Sequence, residues 1–187
     1  MKKKKDLWIE MSIREIWTQC HFAEIAFKNI DPKAKRPTDA VFSSIHSFLS
    51  HCALVSKLLK AQDNTKTPTV ISNILGVSDS SKIHNRTFRD HLDHYYERLK
   101  KWIEKYDVDV NIGTYNIGPK DFFKGGKMLL VSHYDPVTEI FTFVDEDLNL
   151  RDIYEEVIDI KLKADNWVNS LQLGLFDESC IAEKSDA

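Results

Sequence analysis

The chain has 187 residues, 42 % of them apolar and 29 % charged, with a net charge of −3. That is enough apolar material for one core, too little positive charge to coat nucleic acid without regard to sequence, and no apolar run of the ~18–20 residues that a membrane span needs. Cys20, Cys52 and Cys180 are odd in number and form no Cys-x-x-Cys pair, which points to reduced thiols, a cytoplasmic setting and no thiolate metal framework.

The opening MKKKKDLW lacks the apolar run of a secretion signal, so Lys2 to Lys5 are expected to form a solvated tail. Ile9, Ile13, Ile16, Cys20, Ala23 and Phe27 recur at three and four residues, the spacing of one helix face, and Trp17 widens that stripe. Pro32 and Pro37 should end the helix near Asn29. Thr38 or Asp39 can cap a second helix with the stripe Val41, Ile45, Phe48, Cys52, Val55 and Leu59. A short helix over residues 70–75 should stop at Gly76.

Ser78 to Ser81 supply capping residues for a long helix that carries Phe88, Leu92, Tyr95, Leu99, Trp102 and Tyr106. Four glycines and a proline make residues 107–126 read as an irregular connection. KMLLVSHYDPVTEIFTFV reads as two strands around Asp135-Pro136, a hairpin over about residues 127–145. Asn149 can cap a last helix with the stripe Ile153, Val157, Ile160, Ala164, Trp167 and Leu171. The expectation is a mainly α protein: a helical bundle of four substantial helices and one short helix, with a small late β-hairpin packed on it. It occupies residues 1–176 as one domain, with a flexible acidic tail over 177–187.

Chemistry concentrates in HNRTFRDHLDHYY, residues 84–96. On a helix Arg86 can meet Asp90 and Arg89 can meet Asp93, ordinary pairs worth ~0.2–0.5 kcal/mol each on a solvated face. The alternative is catalytic. An arginine fork suits a phosphate, and a histidine moves a proton near neutral pH. Arg86 and His91 stand five steps apart, roughly 140° around an ideal helix. They converge only if Arg86 lies in an irregular first turn or if a second protomer brings its own copy alongside. Such a pair suits phosphodiester cleavage by the substrate's own 2′-hydroxyl, with no metal and no protein nucleophile.

Asp90, His91 and His94 have helical metal-ligand spacing. A carboxylate–histidine bundle site wants Glu-x-x-His on two helices, and none occurs, so neither metal nor cofactor is expected. His46, on the edge of the second stripe, could line the same cleft as His91 together with Ser43 or Ser50. Ser50 lacks a Gly-x-Ser-x-Gly elbow. Gly125-Gly126-Lys127 is too short for a phosphate-binding P-loop. His21 and Glu24 read as a plain helix pair, and Trp17, Trp102 and Trp167 as core residues. Lys82 and Arg89 are the cations placed to meet RNA.

RTFRDH, Arg86 to His91 with Thr87 as the polar residue after the arginine, resembles the Arg-x4-His motif of the HEPN superfamily, small helical bundles many of which cleave RNA as toxins or defence proteins. TDAVFSSIHSFLSHCALVSKLLK and HLDHYYERLKKW look similar to a bacterial family of this kind, over most of residues 10–170. The family more often has Asn or His where Thr87 stands. The resemblance implies a homodimer in which two Arg/His pairs share one cleft, with Arg86 on the scissile phosphate, His91 in proton transfer, and Asp90 or Asp93 orienting His91. It also implies RNA as substrate, an antitoxin protein as partner, and the existence of inert relatives that act as helical interaction modules.

Overall fold

The computed structural model describes residues 4–31, 36–60, 67–85, 94–106, 111–119 and 128–172. Three long helices carry the core: α1 (Lys4–Lys28), α2 (Thr38–Leu59) and α5 (Leu150–Gln172). Two nine-residue helices, α3 (Thr67–Leu75) and α4 (Tyr95–Ile103), and a 3-10 turn (Lys82–His84) lie between them. Strands β1 (Asn111–Ile117), β2 (Met128–Asp135), β3 (Ile140–Phe143) and β4 (Glu146–Asn149) form one sheet in the order β1-β2-β3-β4.

The helix stripes fall where 3.6-residue periodicity puts them. Ile9, Ile13, Ile16, Cys20 and Ala23 of α1 are fully buried, as are Val41, Ile45, Phe48, Cys52 and Val55 of α2. Ile153, Val157, Ile160, Ala164 and Trp167 bury the matching face of α5. α1 lies between the other two and runs antiparallel to both. Phe22 meets His51 and Phe27 meets Phe48 on α2, while Lys161 reaches Glu24 and Phe27 stacks on Tyr154 of α5.

The ends obey local chemistry, with one exception. Gly76, at φ +59, closes α3 in the left-handed conformation that glycine adopts without cost. Asn149 Oδ1 accepts from the Asp152 N–H and caps α5. At α2, neither Thr38 nor Asp39 is the cap. Pro37 occupies that position without a side-chain bond, so Thr38 is already helical.

Two expectations need correcting. The stretch after Ser81 is not one long helix. Ser81 Oγ accepts from Ile83 N–H and caps only a 3-10 turn, Asn85 is extended at ψ 117, and His94 is non-helical at ψ 32 before α4 begins. Asn readily trades helical bonding for local alternatives, and tertiary anchors on both sides hold the break. Among the described residues the bundle therefore has three long and two short helices. The second correction concerns the hairpin, which is half of a mixed sheet. β2 and β3 pair antiparallel as expected, but β4 extends them and β1 adds to β2 in parallel. β1 lies inside the stretch read as irregular. Its one glycine, Gly113, is tolerated because the ladder to β2 and the Asn116–His133 bond fix the backbone.

Candidate functional site

One face of the sheet packs on helices. The register sets Tyr115, Ser132, Phe143 and Glu146 in one cross-strand row, and Ile117, Tyr134, Phe141 and Leu148 in the next. Phe42 of α2 packs against Tyr115 and Phe141, with ring centroids 4.6 and 6.3 Å away. His46, one helical turn on, meets Phe141 edge-on at 6.3 Å. Tyr95, the first residue of α4, packs on Phe143 at 4.8 Å. Phe141 and Phe143 are two residues apart on one strand, ~7 Å along its axis, so His46 and Tyr95 stand over neighbouring positions of one surface.

Of the residues nominated from the sequence, Arg86, Arg89, Asp90, His91 and Asp93 lie outside the described residues. Their flanks are anchored on both sides. Before them, Ser81 Oγ donates to Glu156 Oε2 at 2.5 Å, Lys82 Nζ stands 2.9 Å from Asp152 Oδ2, and His84 Nδ1 lies 3.3 Å from Ser56 Oγ. After them, Arg98 bonds Glu146 at 2.7 Å, and Trp102 Nε1 and Tyr106 Oη both donate to Asp145, at 2.7 and 3.1 Å. One end is therefore tied to α2 and α5, and the other to the β3–β4 turn.

His94 is exposed at the N-cap of α4, and its ring takes no part in capping. Lys82 is exposed but committed to Asp152, a bond that raises its pKa. His46 is half-buried, with Nε2 enclosed and unpartnered among the described residues, and burial lowers its pKa. It is therefore neutral near pH 7. Neither serine joins it: Ser50 Oγ donates back to the His46 carbonyl, and Ser43 lines a groove against α1. His21 and Glu24 are more than a helix pair, because Lys161 reaches both, at 3.2 and 2.6 Å.

Two residues at the ends of the HNRTFRDHLDHYY stretch were given no role of their own: Tyr95, which stands on this surface, and His84, which lies against Ser56 of α2. Tyr95, read as core, keeps its hydroxyl protonated because burial raises its pKa. His84 is pushed down to about 4 by burial, with Lys60 adding to the effect. The only sequence signal for either is position: each abuts the Arg/His segment. Among the described residues no group of three or more His, Cys, Asp and Glu side chains could hold a metal ion. A cleft of about 650 Å³ lies elsewhere, between the end of α1, the β2–β3 turn and the start of α5. Arg151 crosses it to bond Glu139 through two nitrogens, both at 2.7 Å. Of the nominated residues that the structure describes, His46, Lys82 and His94, none lines it. No helix is long and apolar enough to cross a membrane, among the described residues.

Comparison with protein families, with curated proteins and with solved structures finds no match for the chain.

Proposed function

We propose that the chain is a metal-independent endoribonuclease of HEPN type, in which Arg86 binds the scissile phosphate and His91 moves the proton. The observation that carries this reading is the framing of residues 86–93: an Arg/His-rich segment whose two flanks are bonded to different parts of the molecule. In the reaction a histidine takes the proton of the 2′-hydroxyl, the 2′-oxygen attacks the adjacent phosphorus, and the bond to the 5′-oxygen breaks. The products are a 2′,3′-cyclic phosphate and a 5′-hydroxyl, which takes up a proton. An arginine fork offsets the charge that builds on the phosphoryl oxygens. Asp90 or Asp93 would orient the imidazole, and Arg89 would extend the contact along the RNA. A toxin or phage-defence role, with an antitoxin partner and a cytoplasmic setting, belongs to the same proposal.

The Arg-x4-His spacing occurs twice. Arg89 and His94 repeat it three residues on, with Asp90 as the polar residue after the arginine. His94 is exposed and uncommitted to capping, which supports giving this second pair equal weight in the test. The runner-up reading is a non-catalytic helical interaction module, favoured by the net charge of −3.

The test is cleavage of tRNA and total RNA by purified protein in excess EDTA. Arg86→Ala, Arg89→Ala, His91→Ala and His94→Ala are assayed beside the wild type. Activity that survives chelation and falls by ~10²–10⁴ in one Arg/His pair identifies that pair. Absence of cleavage by folded wild type sinks the enzyme reading. Cleavage unchanged in all four variants sinks the assignment of the site.

A further inference from the structure

The cleft between the end of α1, the β2–β3 turn and the start of α5 holds an arginine fixed from two directions. Its volume of about 650 Å³ is in the range of pockets that enclose a small organic molecule. On its lining Phe27 and Tyr154 stack at 4.1 Å, and Phe27 is keyed into the core by Phe48 at 5.2 Å. The Arg151 guanidinium lies over both rings, 4.8 and 5.5 Å from their centroids, so the aromatic pair sets where its plane lies. Glu139 sets its rotation within that plane by accepting from Nε and from Nη2, each at 2.7 Å.

An exposed ion pair that merely decorates a surface contributes little, and this one is made at a cost. Glu139 stands at φ +55, in the left-handed region that a side chain disfavours, and its carbonyl is also engaged, accepting from the Leu150 N–H at 3.0 Å. Strain of this kind persists only where the surroundings over-determine it, and it gathers at ligand clamps. The clamp also leaves donors over. A guanidinium carries five N–H groups, and Glu139 takes two of them, on one edge. The opposite edge, Nη1 with the second N–H of Nη2, bonds no other described residue, and the Arg151 side chain is 44 % exposed. Tyr134, 3 % exposed, lines the same cleft. Burial, with Glu139 adding to it, pushes its hydroxyl up to about 12, so it stays a protonated donor.

We propose that this cleft binds a small monocarboxylic acid, with the carboxylate on the open edge of Arg151 and the apolar body against Ile30, Pro136 and Val137. A carboxylate matches the two parallel N–H groups of an arginine edge, as Glu139 already demonstrates on the other edge. The charges around the cleft select one negative charge over two. Lys28 and Arg151 are balanced by Asp31 and Glu139, so a dianion such as phosphate meets no surplus of positive charge, whereas a single carboxylate needs only the fork. Ile30, Pro136 and Val137 add no hydrogen-bonding side chain, so the rest of the ligand is apolar. The site is separate from residues 86–94 and does not depend on RNA cleavage.

The test is titration of the ¹⁵N-labelled full chain with octanoate, followed by amide shifts in two-dimensional NMR, beside acetate, octan-1-ol and inorganic phosphate. Octanoate should shift the amides of the β2–β3 turn and of the start of α5, and bind at least about tenfold more tightly than each of the other three. Arg151→Lys keeps the charge and loses the fork, and should weaken octanoate at least about tenfold. Val137→Asp places a negative charge on the cleft wall at a position 82 % exposed. It should leave the unfolding curve in place and weaken octanoate severalfold, which keeps the test open should Arg151→Lys fold poorly. Glu139→Gln removes the negative charge beside the ligand, and should bind octanoate no more weakly than wild type. Absence of shifts at roughly 10 mM octanoate overturns the proposal. So does octanoate binding that is unchanged in both Arg151→Lys and Val137→Asp. Octan-1-ol binding as tightly as octanoate would make the cleft an apolar site without a carboxylate, and phosphate doing so would make it a general anion site. Either result overturns the assignment.

Discussion

Glu24 shows how much one side chain can carry. Its carboxylate accepts from Lys161 on α5 and from Lys28 on its own helix, each at 2.6 Å. The bond to Lys161, then that to Lys28, lowers its pKa from 4.5 to about 2. A depressed carboxylate pKa contributes stability above the unfolded value and loses it as pH falls through the folded one. The contribution is therefore complete above about pH 5 and disappears toward pH 2. Glu24→Gln should lower stability near pH 7 by about 1–2 kcal/mol, the range for a hydrogen bond to a charged group discounted for partial exposure. The gap between wild type and variant, read from urea unfolding at successive pH values, should close between about pH 4.5 and 2. A gap that stays constant across that window would mean that Glu24 acts through packing and not through its charge. Sequence reading saw only the His21/Glu24 helix pair, because Lys161 is 137 residues away and nothing in local spacing announces it.

At the scale of elements, the β3–β4 turn is the least expected piece. A two-residue hairpin of this twist needs positive φ at both central residues and favours Asn-Gly. Here Val144 and Asp145 hold φ +41 and +72. The turn persists because α4 fastens it: Trp102, 2 % exposed, and Tyr106 both donate to the Asp145 carboxylate. Strain of this kind is maintained only where the surroundings over-determine it. Asp145→Ala removes the Oδ2 acceptor that both donors share and leaves a buried indole N–H without its partner. It should cost about 1.5–3 kcal/mol in equilibrium unfolding. Asp145→Asn keeps an acceptor and tolerates left-handed backbone, so it should cost less than half as much. Equal costs for the two would show that charge, not acceptor geometry, fastens the turn. The same region explains what the sequence hid. β4 contributes only Leu148 to the core, and β1 exposes residues on both faces, so neither shows the two-residue alternation by which strands are recognised. β2 and β3 were legible instead as short apolar, β-branched and aromatic runs on either side of Asp135-Pro136.

Across the whole molecule, the long helices were legible because each commits a full stripe to one core, and period 3.6 is a strong signal when a stripe is five or six residues long. The pieces around the candidate site were not. Where a 3-10 turn, an extended Asn85 and an N-cap at His94 replace regular helix, tertiary bonds override a local pattern that still reads as helical. One consequence of the shared core can be measured through its thiols. Cys20 on α1 and Cys52 on α2 are both fully buried, and burial pushes Cys20 up to about 12 and Cys52 well above its ordinary value. A thiol reacts as its thiolate and only when reached. In a Cys180→Ser background, both should react with a disulfide reagent at least about a thousandfold more slowly than in the urea-unfolded chain. If α1 and α2 open together with the rest of the core, the two rates should rise in parallel with urea, with the slope of global unfolding. A shallower slope at Cys52 than at Cys20 would mean that α2 leaves the core before α1 and α5 separate, and that the helical layer is held chiefly by α1 and α5.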